Sequence, residues 1–121
     1  MTMAVERTRS LHLGRGSLLD ICRDDTVDVS HQSRAQLILG RYPEDSEIQR
    51  WAEGHLEVIP EAAAQALAST AKLFREVWHS NTGGAQMRHR LLYTRRHFPE
   101  AEEFSRWTQV LPFSRLTDWL A

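Results

Sequence analysis

The chain has 121 residues, 41% of them apolar and 26% charged, with a formal net charge of −1, the proportions of an ordinary globular domain. That length makes one domain around one core. The balanced charge gives no global pull toward nucleic acid or anionic lipid, and no apolar run approaches the roughly 20 residues that cross a bilayer.

A single cysteine, Cys22, excludes an internal disulfide. With no apolar stretch behind the charges of MTMAVERTRSLHL, this points to a reducing, cytoplasmic setting. Fourteen of the fifteen basic residues are arginine, Lys72 being the exception. Arginine codons are largely GC-rich, so a GC-rich bacterial genome is the expected source.

In chain order, residues 1–16 read as a polar N-terminal arm outside the core. Gly14-Arg15-Gly16 reads as a loop, and Ser17 with Asp20 forms a capping-box-like start for a short helix over 18–23. The two glycines could offer backbone N–H groups to an anion, but the spacing and lysine of a phosphate loop are missing, so ordinary loop chemistry is the expectation. The acidic run 24–28 lacks the alternating carboxylates and glycine of a calcium loop and reads as a polar turn. Only SLHL at 10–13 and TVDV at 26–29 alternate, too briefly for a sheet.

Ser33 and Gln36 repeat the capping device before Leu37-Ile38-Leu39, and Gly40 with Pro43 marks a stop. Ser46 and Gln49 open a third helix, with Ile48, Trp51, Ala52, His55, Leu56 and Ile59 on one face. Pro60 opens a longer helix to about residue 80, its seam made by Ala64, Leu67, Ala71, Phe74 and Trp78. Asn81-Thr82-Gly83-Gly84 is a turn, so residues 60–80 and 85–98 form an antiparallel helical hairpin. Pro99 ends its second arm and begins a helix bearing Phe104, Trp107 and Leu111; after Pro112, a last turn carries Leu116, Trp119 and Leu120. The expected fold is all-α, a compact bundle of five to six helices around that central hairpin, with little or no sheet.

The stretch MRHRLLYTRRHF at 87–98 concentrates arginines and aromatic rings. At about 100° per residue, Met87, Leu91, Thr94 and Phe98 face the hairpin partner and Arg88 and Arg95 flank them. His89, Arg90, Tyr93, Arg96 and His97 then share the opposite side. That face is the candidate site for a protein or, alternatively, for nucleic acid, with Tyr93 available for stacking. Trp51, His55, Trp107 and Trp119 are candidate partner anchors, because aromatic side chains are enriched at binding hot spots. A helix-turn-helix over 49–67 is disfavoured, since Pro60 occupies the turn and an acidic, alanine-rich second helix reads base edges poorly.

No metal site is expected, because the six histidines include no pair at i,i+3 or i,i+4 and Cys22 has no cysteine partner. No cofactor, small-molecule substrate or membrane partner is implied, and no nucleophile stands beside a recognisable base. The expectation is a small cytoplasmic non-enzymatic protein that binds another macromolecule: a regulatory adaptor, an inhibitor encoded by a mobile element, or an obligate homodimer.

Overall fold

Seven helical segments and no strand are found among the described residues of the computed structural model, which are 3–54, 58–109 and 116–121. They are α1 (Ala4–Arg23), α2 (Val29–Leu39), α3 (Asp45–Ala52), α4 (Glu61–Ser80), α5 (Ala85–Arg95), α6 (Glu103–Arg106) and α7 (Leu116–Trp119). The all-α expectation holds, and the count exceeds five to six because α6 and α7 are single turns.

The largest departure is α1. Residues 4–16, expected as an arm and a glycine loop, are the first thirteen positions of a 20-residue helix. Its buried residues are Leu11, Leu18 and Ile21 together with Thr8, Ser10, Gly14 and Ser17. The small members let neighbours approach closely. Ser10 Oγ donates to the His97 carbonyl at 3.2 Å, and Ser17 and Thr94 share a hydrogen bond at 2.7 Å. A Cβ on Gly14 would lie 2.1 Å from the Tyr42 hydroxyl, which itself donates to the Leu11 carbonyl at 2.5 Å. Gly14 is therefore a packing position inside a helix, not a breaker.

Two other starts also shift. α2 begins at Val29, four residues before the expected cap, because Asp28 accepts from the Ser30 N–H at 2.8 Å. α3 begins at Asp45, with Glu44 and Glu47 forming the capping box rather than Ser46 and Gln49. It ends at Ala52, and Gly54 follows at φ +80°, where a glycine costs no strain. α4 matches its expected span closely, Pro60 preceding it and Asn81 closing it in the left-handed region at φ 60°.

The α4–α5 hairpin is present, but α1 shares the centre with it. α1 packs against α2, α3, α5 and α7, while α4 packs against α2, α5 and α6. Trp51, Trp107, Phe74 and Phe104 are fully buried. Rings continue in contact from Phe74 through Phe98, Phe104 and Trp107 to Trp119, with centroids 4.9 to 6.0 Å apart. The chain end closes on α1, the Arg7 guanidinium donating to the Trp119 carbonyl at 2.8 Å and the Ala121 N–H to Thr8 Oγ1 at 2.9 Å.

Candidate functional site

α5 lies antiparallel beside α1. Paired contacts fix the direction: Ser10 with His97, Ser17 with Thr94, Asp20 with Arg90 at 3.2 Å, and Asp24 with the Gly84 N–H at 2.7 Å. Gly84 is the N-cap residue of α5 and has no capping side chain of its own. The Asp24 carboxylate takes that role from across the fold, and its pKa is lowered by hydrogen bonds from the Thr26 side chain and the Gly84 N–H.

The four arginines of MRHRLLYTRRHF divide into distinct tasks. Arg88 donates to the Trp78 carbonyl at 2.9 Å and the Thr82 carbonyl at 2.8 Å, closing the C-terminal end of α4. Its guanidinium also lies 4.6 Å from the centre of the Trp78 ring, and Arg95 lies 5.2 Å from it. Arg90 pairs with Asp20. Neither Arg95 nor Arg96 has a hydrogen-bond or ion-pair partner among the described residues, and Arg96 has no ring contact either.

Of the five residues expected on one helix face, four line one groove, and α5 ends at Arg95, so that Arg96 and His97 follow the helix rather than belong to it. His89, Arg90, Tyr93 and Arg96 are exposed, and His97 is half-buried with Nε2 at 3.0 Å from Glu6. His89, Arg90, Tyr93 and His97 line one wall of a groove whose other wall is α1, and Arg96 lies outside it. Tyr93 and Leu13 meet at its middle, with Ser17, Asp20 and Arg23 toward one end and Glu6 and Arg9 toward the other. The Asp20 half encloses about 510 Å³. Tyr93 is 59% exposed, Leu92 44% and Leu13 39%.

The α1 wall was missed at the sequence level because residues 1–16 were read as arm and loop. The available signal was an exposed stripe of α1 at alternating spacings of three and four.

The tryptophan anchors require correction. Trp51 and Trp107 are each 1% exposed and belong to the core, so neither can meet a partner on this fold. Trp119 is half-buried and stacked on Trp107 at 6.0 Å. His55 lies outside the described residues. A second groove runs between α2 and α4, where Leu37, 74% exposed, stands beside Arg41, Ala66 and Lys72.

Among the described residues no group of three or more His, Cys, Asp or Glu side chains converges as a metal site. Burial pushes the Cys22 thiol pKa up, opposite to what an activated nucleophile needs. No helix among the described residues is long and apolar enough to cross a membrane.

No protein-family model matches the chain, and no curated protein or solved structure matches it either. Function is therefore argued from the groove.

Proposed function

We propose that this is a non-enzymatic binding protein of the bacterial cytoplasm that docks another polypeptide along the α1–α5 face. One observation carries the reading. Leu13, Leu92 and Tyr93 are 39%, 44% and 59% exposed, beside Arg9, Arg23 and Arg96, which have no hydrogen-bond or ion-pair partner among the described residues. Apolar and aromatic surface ringed by uncommitted arginines is the composition of a binding hot spot. A regulatory adaptor, an inhibitor carried by a mobile element and a homodimer would each use such a face in the same way.

Nucleic acid is the weaker reading. A phosphate-binding face needs uncompensated cations. Here Glu6 and Asp20 lie within the groove and engage His97 and Arg90, while Arg88 and Arg95 are committed to Trp78. Three free arginines would give only weak, strongly salt-dependent binding. Catalysis has less support still. His89 and His97 stand at opposite ends of the groove, about 12 Å apart by helical rise, and Cys22 lines neither half of it.

The test uses immobilised protein in extract of the native host. Tyr93→Ala and Arg96→Glu should each lower partner retention at least about tenfold, the scale of a lost hot spot, whereas Leu37→Ser in the α2–α4 groove should not. Equal retention by all three would remove the α1–α5 face from consideration. Fluorescence anisotropy with labelled duplex and single strand at two salt concentrations covers the other reading. Salt-dependent micromolar binding lost in Arg96→Glu would favour nucleic acid.

A further inference from the structure

The α1 wall is a stripe of six residues, Glu6, Arg9, Leu13, Gly16, Asp20 and Arg23, spaced alternately by three and four. That spacing is the seam along which one helix packs against another. Arg9, Leu13, Gly16 and Arg23 are exposed, and Glu6 and Asp20 half-buried. Its centre is open: no atom of another element lies within 4 Å of where a Gly16 Cβ would sit.

We propose that two copies of the chain associate through this stripe, α1 against α1 in antiparallel register, about a two-fold axis crossing the helix between Leu13 and Gly16. The proposal names the occupant of the docking face above and rests on that reading. In this register Glu6 faces the partner's Arg23, Arg9 faces the partner's Asp20, and Leu13 enters the space over the partner's Gly16. The axis generates every pair twice, as an isologous interface requires.

Charge order selects the register. A shift of about one helical turn in one direction sets Glu6 against the partner's Asp20, and in the other sets Arg9 against the partner's Arg23. A parallel arrangement sets every charge against its own kind. Like-charge juxtaposition rejects these alternatives more strongly than it would a flat apolar face. Arg9 and Arg23 hold no hydrogen-bond or ion-pair partner among the described residues and can pair across the axis. Asp20 and Glu6 each hold a side-chain contact on α5, at 3.2 and 3.0 Å, and a carboxylate has further lone pairs for a second donor.

The stripe is about 26 Å long by helical rise and, with α5 beside it, roughly 20 Å wide. That footprint, on the order of 500 Å² per copy, lies toward the small end for specific association, where weak, transient complexes fall, and a micromolar dimer is the expected outcome.

Sedimentation velocity on the full chain, from about 1 to 300 μM, brackets that affinity. Dimerisation that deepens with concentration is expected. Arg9→Glu and Arg23→Glu, both exposed and leaving the helical circular dichroism unchanged, should each raise the dimer Kd about tenfold or more. Arg9→Glu combined with Asp20→Arg and Arg90→Asp restores both the crossed pair and the Asp20–Arg90 contact within the chain with their signs exchanged, and should return Kd to within about threefold of the starting chain.

A monomer across the whole range would overturn the proposal, as would a dimer indifferent to both single reversals. The docking reading is judged separately. If the chain stays monomeric while Tyr93→Ala and Arg96→Glu still abolish retention of a different polypeptide, the second copy is wrong and the face stands. If those variants also change nothing, both fail.

Discussion

Two glycines in α1, two residues apart, should respond to alanine with opposite signs. An alanine at an unhindered helical glycine gains roughly 0.5–1 kcal/mol, and Gly16 has nothing within 4 Å of the new methyl. Gly16→Ala should therefore raise stability by about that amount in urea unfolding. At Gly14 the methyl would stand 2.1 Å from the Tyr42 hydroxyl and 3.1 Å from the Phe98 ring. Tyr42 is 4% exposed and anchored to Leu11, so it cannot swing away. Overpacking typically costs about 1–3 kcal/mol, which exceeds the propensity gain, and Gly14→Ala should be net destabilising.

Asp24 supplies a pH test. Its folded pKa is lowered, first by the Thr26 side-chain hydrogen bond and then by Gly84. The stabilisation is thus fully present above the unfolded value near 3.9 and is lost as pH falls through the folded one. Asp24→Ala should cost about 1 kcal/mol at pH 7, as for a helix cap. The gap between the two proteins should narrow in urea titrations below pH 3.

At the scale of elements, the hairpin's second arm carries charges with unequal consequences. Arg88→Ala removes the donors that satisfy the last turn of α4 and one of the two guanidinium contacts with the Trp78 ring. It should destabilise by about 1–2 kcal/mol. Arg96→Ala removes no hydrogen bond or ion pair among the described residues and should fall within about 0.5 kcal/mol of the starting chain. Thermal unfolding of the two variants side by side checks the division between structural and free arginines.

The same elements explain what could be read in advance. α4 and α5 were legible because Leu67, Phe74, Met87 and Leu91 are large apolar residues at helical spacing, bounded by Pro60 and the Asn81–Gly84 turn. The polar face of α5 followed from that phase alone. α1 was illegible because its close approaches are made by Ser10 to His97, Gly14 to Tyr42 and Phe98, and Ser17 to Thr94. Residues chosen for close approach carry no hydropathy signal and imitate a loop. The arm, the glycine loop and the missing half of the groove were one misreading. Trp51 and Trp107 failed differently. An apolar helix face says that something covers it, and only tertiary structure says whether the cover is the same chain.

For the whole molecule, the ring series from Phe74 to Trp119 ties α4, the segment after α5, α6 and α7 into one core. Trp107 touches both Phe104 and Trp119, and its backbone carbonyl accepts from the Ile59 N–H at 2.8 Å. Trp107→Ala should cost about 3–5 kcal/mol, a large share of the 5–15 kcal/mol typical of a domain. Its unfolding midpoint in urea should fall accordingly. The chain end should loosen with it, since α7 holds to α1 through Arg7 and Thr8.

With Trp51 and Trp107 spent on the core, the proposed docking face is the groove of Leu13, Tyr93, Arg9 and Arg23. The most direct measurement is site-specific photocrosslinking in the native host, with a benzophenone side chain at Tyr93 and, as the control, at Val29, which is 72% exposed on α2. The account predicts an adduct from position 93 that is absent from position 29, including a self-adduct of twice the 14.0 kDa chain mass, and lost on Arg9→Glu. No adduct at 93, or the same adducts from both positions, would contradict it.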